Sequence, residues 1–208
     1  MTDASTGLDF VHRFEPATKP GRPPLLLLHG TGGDENDLIP IGVRIAPGSA
    51  LLSPRGKVRE NGMLRFFRRL AEGVFDLDDL KSRAHELGDF VERASEAYGL
   101  ATPIAIGFSN GANIASALML SRPHALAGAV LMRGTVPFVP DDLPDLLGVP
   151  VLILAGKADP LVSSANRAAL AELLSRAGAA VTAVVVDGGH SLTPQDVAIA
   201  SRWLAERG

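Results

Sequence analysis

Cysteine is absent from this chain of 208 residues, and aromatic side chains make up only 5% of it. Without a thiol the protein can form no disulfide, no thiolate metal site and no cysteine nucleophile. Positive charge is not in excess either, because the formal net charge is −3, which argues against a nucleic-acid-binding surface. No apolar run is long enough to span a bilayer, and residues 1–7 lack the apolar core of a signal peptide. We therefore expect a cytoplasmic protein with no membrane span and no nucleic-acid partner.

Apolar residues are abundant, at 46% against 21% charged residues, which is enough for a large core. Strand-like apolar runs alternate with segments of helical periodicity, which predicts parallel βαβ units and a sheet covered by helices on both faces. The predicted strands are 10–14, 25–28, 50–52, 104–108, 127–131, 151–154 and 181–186. The predicted helices are 79–98, 164–177 and 194–206. Since no repeat or linker interrupts this pattern, we expect one domain, 1–208.

The most informative motif is Gly-Phe-Ser-Asn-Gly at 107–111, which follows an apolar strand and precedes a helix-like run. A serine on so tight a strand-to-helix turn has a strained backbone, and its hydroxyl projects above the positive end of the helix. Flanking glycines are needed because larger side chains would collide across the turn. The motif predicts a nucleophilic Ser109. The alternative is a loop serine that caps a helix beginning at Asn110.

A serine hydroxyl is a poor nucleophile and needs an imidazole base, which in turn is oriented by a carboxylate. For a serine on this kind of turn, the acid and then the histidine follow later strands. Asp159 follows the predicted strand 151–154, and His190 follows 181–186. Because the carboxyl ends of parallel strands meet at one edge of the sheet, these residues should converge. We predict the catalytic residues Ser109, Asp159 and His190.

Alternatives remain for both partners of the serine. Asp159 precedes Pro160 and could simply start a turn. Asp187 competes for the acid role, although it lies only three residues before His190. His190 itself could be an exposed loop histidine. Three other histidines follow no strand in the required order: His12, His85 and His124.

Two backbone N–H groups are predicted to bind the oxyanion of a reacting carbonyl. One belongs to Asn110, directly after the serine, and the other to Thr31 in the glycine-rich stretch 30–33. This stretch follows a strand and His29. It could instead be an ordinary turn or a phosphate-binding loop, but its spacing matches no common phosphate motif. We expect the side chain of Asp34 to cap the next helix.

The segments 28–35 (Leu-His-Gly-Thr-Gly-Gly-Asp-Glu) and 107–113 (Gly-Phe-Ser-Asn-Gly-Ala-Asn), with Asp159 and His190, resemble the α/β-hydrolase carboxylesterase/phospholipase family, to which acyl-protein thioesterases belong. The stretches 54–56 (Pro-Arg-Gly) and 60–70 resemble a bacterial branch that includes the methylhydroquinone-associated hydrolases. The resemblance extends over about 24–203. It implies an α/β-hydrolase fold with a mostly parallel, doubly covered sheet and no large cap domain. It also implies a serine esterase with no cofactor or metal, and a homodimer as the expected assembly, since members of the family are often dimeric.

One segment departs from the family. Residues 132–138 read Met-Arg-Gly-Thr-Val-Pro-Phe, where the family has an apolar or histidine-bearing segment. The resemblance therefore gives no guide to the acyl pocket at this point.

The stretch 55–75 mixes basic and apolar side chains. We predict that Met63, Phe66 and Phe67 contact substrate as a wall of the acyl pocket. The arginines of the stretch could set an electropositive rim that favours acidic esters. In the alternative interpretation the phenylalanines belong to the core and the basic groups pair with nearby carboxylates, namely Glu60, Glu72 and Asp76. Phe108 is expected to pack behind the serine, and Trp203 in the core.

The sequence thus predicts a carboxylesterase that cleaves small-molecule esters through an acyl-enzyme. A thioesterase or lysophospholipase acting on longer acyl groups would use the same residues. A non-catalytic ligand-binding protein of the same fold is the alternative from another class.

Overall fold

The computed structural model describes residues 8–207, so the predicted polar stretch 1–7 lies outside the described residues. The described part of the chain forms eleven strands and five helices. The strands are β1 (His12–Glu15), β2 (Leu25–Leu28), β3 (Leu51–Pro54), β4 (Val58–Glu60), β5 (Met63–Arg65), β6 (Arg69–Ala71), β7 (Val74–Phe75), β8 (Ile104–Phe108), β9 (Gly128–Met132), β10 (Pro150–Gly156) and β11 (Ala180–Val186). The helices are α1 (Ile39–Ile45), α2 (Leu77–Tyr98), α3 (Asn110–Ser121), α4 (Ser164–Arg176) and α5 (Pro194–Ala205).

Seven strands form the central sheet in the order β1-β3-β2-β8-β9-β10-β11. Every neighbouring pair is parallel except β1 and β3, so the predicted mostly parallel sheet is confirmed. The carboxyl ends of the parallel strands all lie at one edge. The loops that follow β2, β8, β10 and β11 therefore meet there.

Helices cover both faces of the sheet. Alternate side chains of each strand point to opposite faces, and in the central strands the side chains on both faces are apolar and packed against helices. Leu26 and Leu28 pack with residues of α2, α3 and α4. Leu25 and Leu27 pack with residues of α1 and α5, among them Trp203, which confirms its core position. All four leucines are 0% exposed. Burying each stabilises the fold by roughly 1.5–3 kcal/mol before entropy is counted.

The ends of two helices follow the predicted signals. Helix α2 ends at Gly99, whose φ of 63° lies in the left-handed region that glycine readily adopts. Helix α5 begins at Pro194, and the preceding Thr193 forms a capping box with Asp196. Helix α2 begins at residue 77, two residues earlier than predicted, because the side chain of Asp76 accepts a hydrogen bond from the Asp79 N–H and caps the helix there.

Helix α1 and its start differ from the sequence prediction. The helix has seven residues and begins after Leu38, which makes no side-chain capping hydrogen bond. The expectation that Asp34 caps it is wrong, because its Oδ1 accepts from the Asn36 N–H at 2.8 Å and closes a turn before the helix. So short a helix has too few apolar positions for its periodicity to be recognised.

The stretch 55–75 folds into two hairpins that the sequence analysis did not assign, β4–β5 and β6–β7. The first turns at Asn61 and Gly62, whose φ angles are 51° and 81°, as in a tight two-residue hairpin turn. Among residues 8–207, no helix is both long and apolar enough to cross a membrane.

Candidate active site

Ser109 lies between β8 and α3 in a backbone conformation that residues other than glycine rarely adopt. Its φ is 52° and its ψ is −112°, a strain of about 1–3 kcal/mol. The glycines are required here: a Cβ on Gly111 would lie 1.9 Å from the carbonyl oxygen of Leu28, and one on Gly107 would lie 2.6 Å from the carbonyl oxygen of Gly111. The Ser109 side chain makes no capping hydrogen bond to the helix. The alternative of a capping serine is therefore wrong.

The structure brings the three predicted catalytic side chains into one hydrogen-bonded chain. His190 follows β11, and its Nε2 lies 2.9 Å from Ser109 Oγ. Its Nδ1 lies 2.9 Å from Oδ2 and 3.1 Å from Oδ1 of Asp159. The Asp159 side chain is 1% exposed, and Oδ1 also accepts from the Leu161 and Val162 N–H groups. The loop after β10 thus fixes a buried carboxylate against the imidazole.

Asp187, the competing acid, points away from this chain. Its side chain is 90% exposed, and its nearest cationic partner is Lys157, with Nζ 3.9 Å from Oδ1. Of the two candidate carboxylates, only Asp159 therefore reaches His190. The turn expected at Asp159 is also present, since the same side chain binds the two N–H groups that follow.

A second histidine joins the loop after β2 to the segment that follows β3. His29 is 1% exposed, its Nδ1 lies 2.7 Å from the carbonyl oxygen of Gly30, and its Nε2 accepts from the Gly56 N–H at 2.9 Å. Since Nε2 accepts, Nδ1 holds the proton and donates to Gly30, and the ring is neutral. Burial lowers the pKa of His29 below its ordinary value, which outweighs the opposite effects of Gly30 and the nearby carboxylates. His29 therefore holds the glycine-rich loop as an uncharged hydrogen-bonding group.

Thr31 and Asn110, the predicted oxyanion donors, line the same cleft as Ser109 and His190. Asn110 is the first residue of α3, so its N–H has no carbonyl acceptor within the helix. Its side-chain Oδ1 accepts from the Phe66 N–H at 2.8 Å, which fixes the start of the helix. Thr31 is held from the other side, where its Oγ1 accepts from Arg65 Nη1 at 2.7 Å.

The cleft has a volume of about 500 Å³. Its floor includes Ser109 and His190, and residues 160–162 after β10 form part of its wall. The hairpin stretch 55–75 also contributes to the wall. The residues of that stretch that line the cleft are Arg65, Arg69, Glu72, Gly73 and Phe75.

The predicted substrate contacts Met63, Phe66 and Phe67 are not among the lining residues. Phe66 is 3% exposed and lies against the ring of His29, while Phe67 is 0% exposed and packs edge-on against Phe75. Met63, the first residue of β5, is 38% exposed. For Phe66 and Phe67 the prediction of a cleft wall is therefore wrong, because both rings are buried in the core. For Met63 it stays a prediction.

Phe108 also differs from its predicted place behind the serine. It lines the cleft, and its ring centroid lies 5.5 Å from that of His190. The ring therefore packs beside the imidazole and faces any molecule that occupies the cleft.

Arg133, which sequence reasoning did not select, lies beneath the histidine loop. Its Nη1 and Nη2 each donate to one oxygen of Asp196 at 2.8 Å, and both side chains are 0% exposed. Its Nε donates to the carbonyl oxygen of Gly189 at 2.9 Å, and Nη2 to that of Ser191 at 3.2 Å. One guanidinium thus binds the main chain on both sides of His190.

The partner carboxylate is held ionised. Burial raises the pKa of Asp196, but hydrogen bonds from Arg133 and Thr193 outweigh burial and keep that pKa below its ordinary value. Arg133 lies in the segment that departs from the family pattern, directly after the buried strand β9.

Within residues 8–207, no group of three or more His, Asp or Glu side chains is arranged to hold a metal ion. The polar side chains that line the cleft include the Ser109 hydroxyl, the His190 imidazole and the guanidinium groups of Arg65 and Arg69.

Comparison with known proteins identifies relatives over most of the chain. The sequence model of the phospholipase/carboxylesterase family matches residues 70–207. MhqD of Bacillus subtilis (strain 168) is 47% identical over 184 residues, which are 88% of this chain and 92% of that protein. A carboxylesterase from Bacillus cereus is 43% identical, with a TM-score of 0.94 over 98% of this chain and 97% of its own. A carboxylesterase from Mesorhizobium loti is 36% identical, with a TM-score of 0.90 over 99% of this chain and 97% of its own. The chain belongs to the phospholipase/carboxylesterase family of hydrolases.

Proposed function

We propose that the protein is a carboxylesterase in which Ser109, His190 and Asp159 act as a catalytic triad. The observation on which this proposal depends is the hydrogen-bonded chain from Ser109 Oγ through the imidazole to the buried carboxylate of Asp159. The strained φ of 52° at Ser109 supports it, since such strain is commonly kept where it serves chemistry.

In the proposed reaction the Ser109 hydroxyl donates to Nε2 of His190, while Nδ1–H donates to Asp159. As the serine oxygen attacks the ester carbonyl, Nε2 takes its proton and the carboxylate stabilises the imidazolium. The negative charge moves onto the former carbonyl oxygen, where the N–H groups of Thr31 and Asn110 bind it. Each such donor is worth about 10²–10³ in rate.

Collapse of this intermediate breaks the ester bond, and His190 returns the proton to the departing alcohol. An acyl group then remains on Ser109. Water attacks the acyl group and passes a proton to the same imidazole. As the bond between the acyl carbon and Ser109 Oγ breaks, the imidazolium returns this proton to Oγ, and the carboxylic acid leaves. Every proton transfer in this reaction passes through Nε2 of His190.

The test is turnover of 4-nitrophenyl esters from acetate to palmitate. We expect Ser109→Ala to lower kcat by roughly 10⁴–10⁶, with an unchanged circular dichroism spectrum. Turnover retained by this variant would exclude Ser109 as the nucleophile. A preference for long chains, or for thioesters of the same acids, would favour the lysophospholipase or thioesterase function instead.

Asp159 and Asp187 provide a matched pair for the acid role. Asp159→Asn should lower kcat by about 10⁴ because the imidazole loses its orienting carboxylate. Asp187→Asn removes the same charge from a side chain that is 90% exposed and should leave kcat within a factor of two. The reverse order would show that Asp187 is the acid.

A further inference from the structure

Two arginines on the wall of the cleft make up a group that the proposed triad does not use. Arg65 ends β5 and Arg69 begins β6, and both line the cleft that contains Ser109. The third lining residue with a charge in this stretch is Glu72, which is exposed in the turn between β6 and β7.

Arg65 is a buried cation whose guanidinium group has only part of its hydrogen-bonding capacity satisfied. Its side chain is 4% exposed. Nη1 donates to Thr31 and Nε to the carbonyl oxygen of Phe67, while Nη2 makes no hydrogen bond within residues 8–207. Burial lowers the pKa of Arg65, and the neighbouring Arg69 lowers it further. An anion in the cleft would relieve both effects.

Arg65 and Arg69 share one carboxylate. Glu60 Oε2 lies 3.3 Å from Nε of Arg65, and Oε1 lies 2.7 Å from Nε of Arg69. Two positive charges therefore face one negative charge, which leaves one positive charge unneutralised. The two Nη groups of Arg69 make no hydrogen bond to the described residues, so they remain available to a molecule in the cleft.

Two other arginines at or beside the cleft, Arg68 and Arg133, are paired with carboxylates. Arg68 lies outside it, 62% exposed, with Asp76 at 3.0 Å and Asp79 at 3.7 Å. Arg133 lines the cleft but is paired with the ionised Asp196. Among the arginines that line the cleft, the excess positive charge thus belongs to Arg65 and Arg69, with Glu72 opposing it at the rim.

We propose that Arg65 and Arg69 form a carboxylate subsite, so that the preferred substrates are small esters carrying a carboxylate apart from the reacting ester group. Guanidinium groups bind carboxylates with two parallel hydrogen bonds, and a partly desolvated cleft strengthens the attraction. A volume of about 500 Å³ suits a small substrate. This inference rests on the proposed function, because the subsite selects among substrates that Ser109 attacks.

Pairs of isosteric esters that differ only in charge provide the test. Monoethyl succinate and ethyl succinamate place a carboxylate or a neutral amide on the acyl side. The anion of 4-acetoxybutanoic acid and 4-acetoxybutanamide do the same on the alcohol side. Acid release in a pH-stat gives kcat/KM for each. In the wild-type protein the charged ester of at least one pair should be favoured by about 10–100-fold, the range expected of a charge-assisted hydrogen bond.

Substitutions at three nearby positions distinguish the effect of this subsite on the charged-to-neutral ratio of kcat/KM from the effect of the protein's net charge. Arg69→Gln should bring the charged-to-neutral ratio close to one. Arg68→Gln removes the same charge one residue away, outside the cleft, and should leave the ratio unchanged. Glu72→Gln should raise the ratio about two- to threefold. Arg65 is left intact because its side chain also holds Thr31.

The possible failures are distinguishable. Equal turnover of charged and neutral esters by the wild-type protein would overturn the subsite and leave the proposed esterase standing. An equal loss of preference in Arg68→Gln and Arg69→Gln would also overturn it, because the effect would then come from net charge. A folded protein inert toward all four esters and toward 4-nitrophenyl acetate would overturn the esterase and the subsite together.

Discussion

Arg133 and Asp196 form a bidentate ion pair, and both side chains are 0% exposed. The same guanidinium donates to the carbonyl oxygens of Gly189 and Ser191, on either side of His190. Asp196 belongs to the first turn of α5, where it also closes the capping box with Thr193. The pair therefore connects the end of β9, the histidine loop and the start of α5 through one buried charge cluster.

We predict that Arg133→Met lowers the free energy of unfolding by about 3–5 kcal/mol, since it leaves the Asp196 carboxylate buried without its partner. Urea denaturation monitored by circular dichroism measures this loss. The double variant Arg133→Met with Asp196→Leu should recover much of the stability, because no unpaired charge remains.

The double variant also separates stability from the positioning of His190. The carbonyls of Gly189 and Ser191 lose their donors in it, so kcat for 4-nitrophenyl acetate should stay about 10–100-fold below that of the wild type. If kcat recovered together with stability, the pair would serve the fold alone and have no part in placing the imidazole.

Phe67 supports the cleft from behind and does not contact what occupies it. It is 0% exposed and packs against Phe75, which lines the cleft. Phe67→Ala should lower the free energy of unfolding by about 3–5 kcal/mol. Leu161→Ala, at a cleft residue that is 53% exposed, should change stability by less than about 0.5 kcal/mol and alter KM instead. A stable Phe67→Ala variant with an altered acyl-chain preference would contradict this assignment.

The sequence allowed the positions of Ser109, Asp159 and His190 to be predicted because each directly follows a strand. In a parallel sheet the strand ends meet at one edge, so local order along the chain is enough to bring such residues together. The structure places all three within hydrogen-bonding distance. Their chemical roles stay a prediction until the variants are measured.

Other parts of the site depend on the path of the chain between strands. The side-chain directions of Phe66 and Phe67 follow from the hairpins of the stretch 55–75, and no strict alternation of apolar and polar residues marks them in the sequence. Asn61 and Gly62 were an overlooked signal, since this pair is the commonest tight hairpin turn. Arg133 could not be assigned from its neighbours, because its partner Asp196 lies 63 residues away.

His29 should make the stability of the protein sensitive to mild acid. Burial holds its pKa below the ordinary value of 6.5, so below that pH the unfolded chain binds a proton that the folded protein does not. Stability from this group is therefore complete above about pH 6.5 and falls as the pH decreases toward the folded pKa, by at most about 1.4 kcal/mol per pH unit. Urea unfolding between roughly pH 7.5 and 5.5 measures the slope, in a range where ordinary carboxylates titrate little. We expect His29→Asn to reduce this dependence of the free energy of unfolding on pH. His85→Asn, on the exposed face of α2, should leave the dependence unchanged. An equally steep slope in His29→Asn would show that the loop after β2 tolerates a charged imidazole.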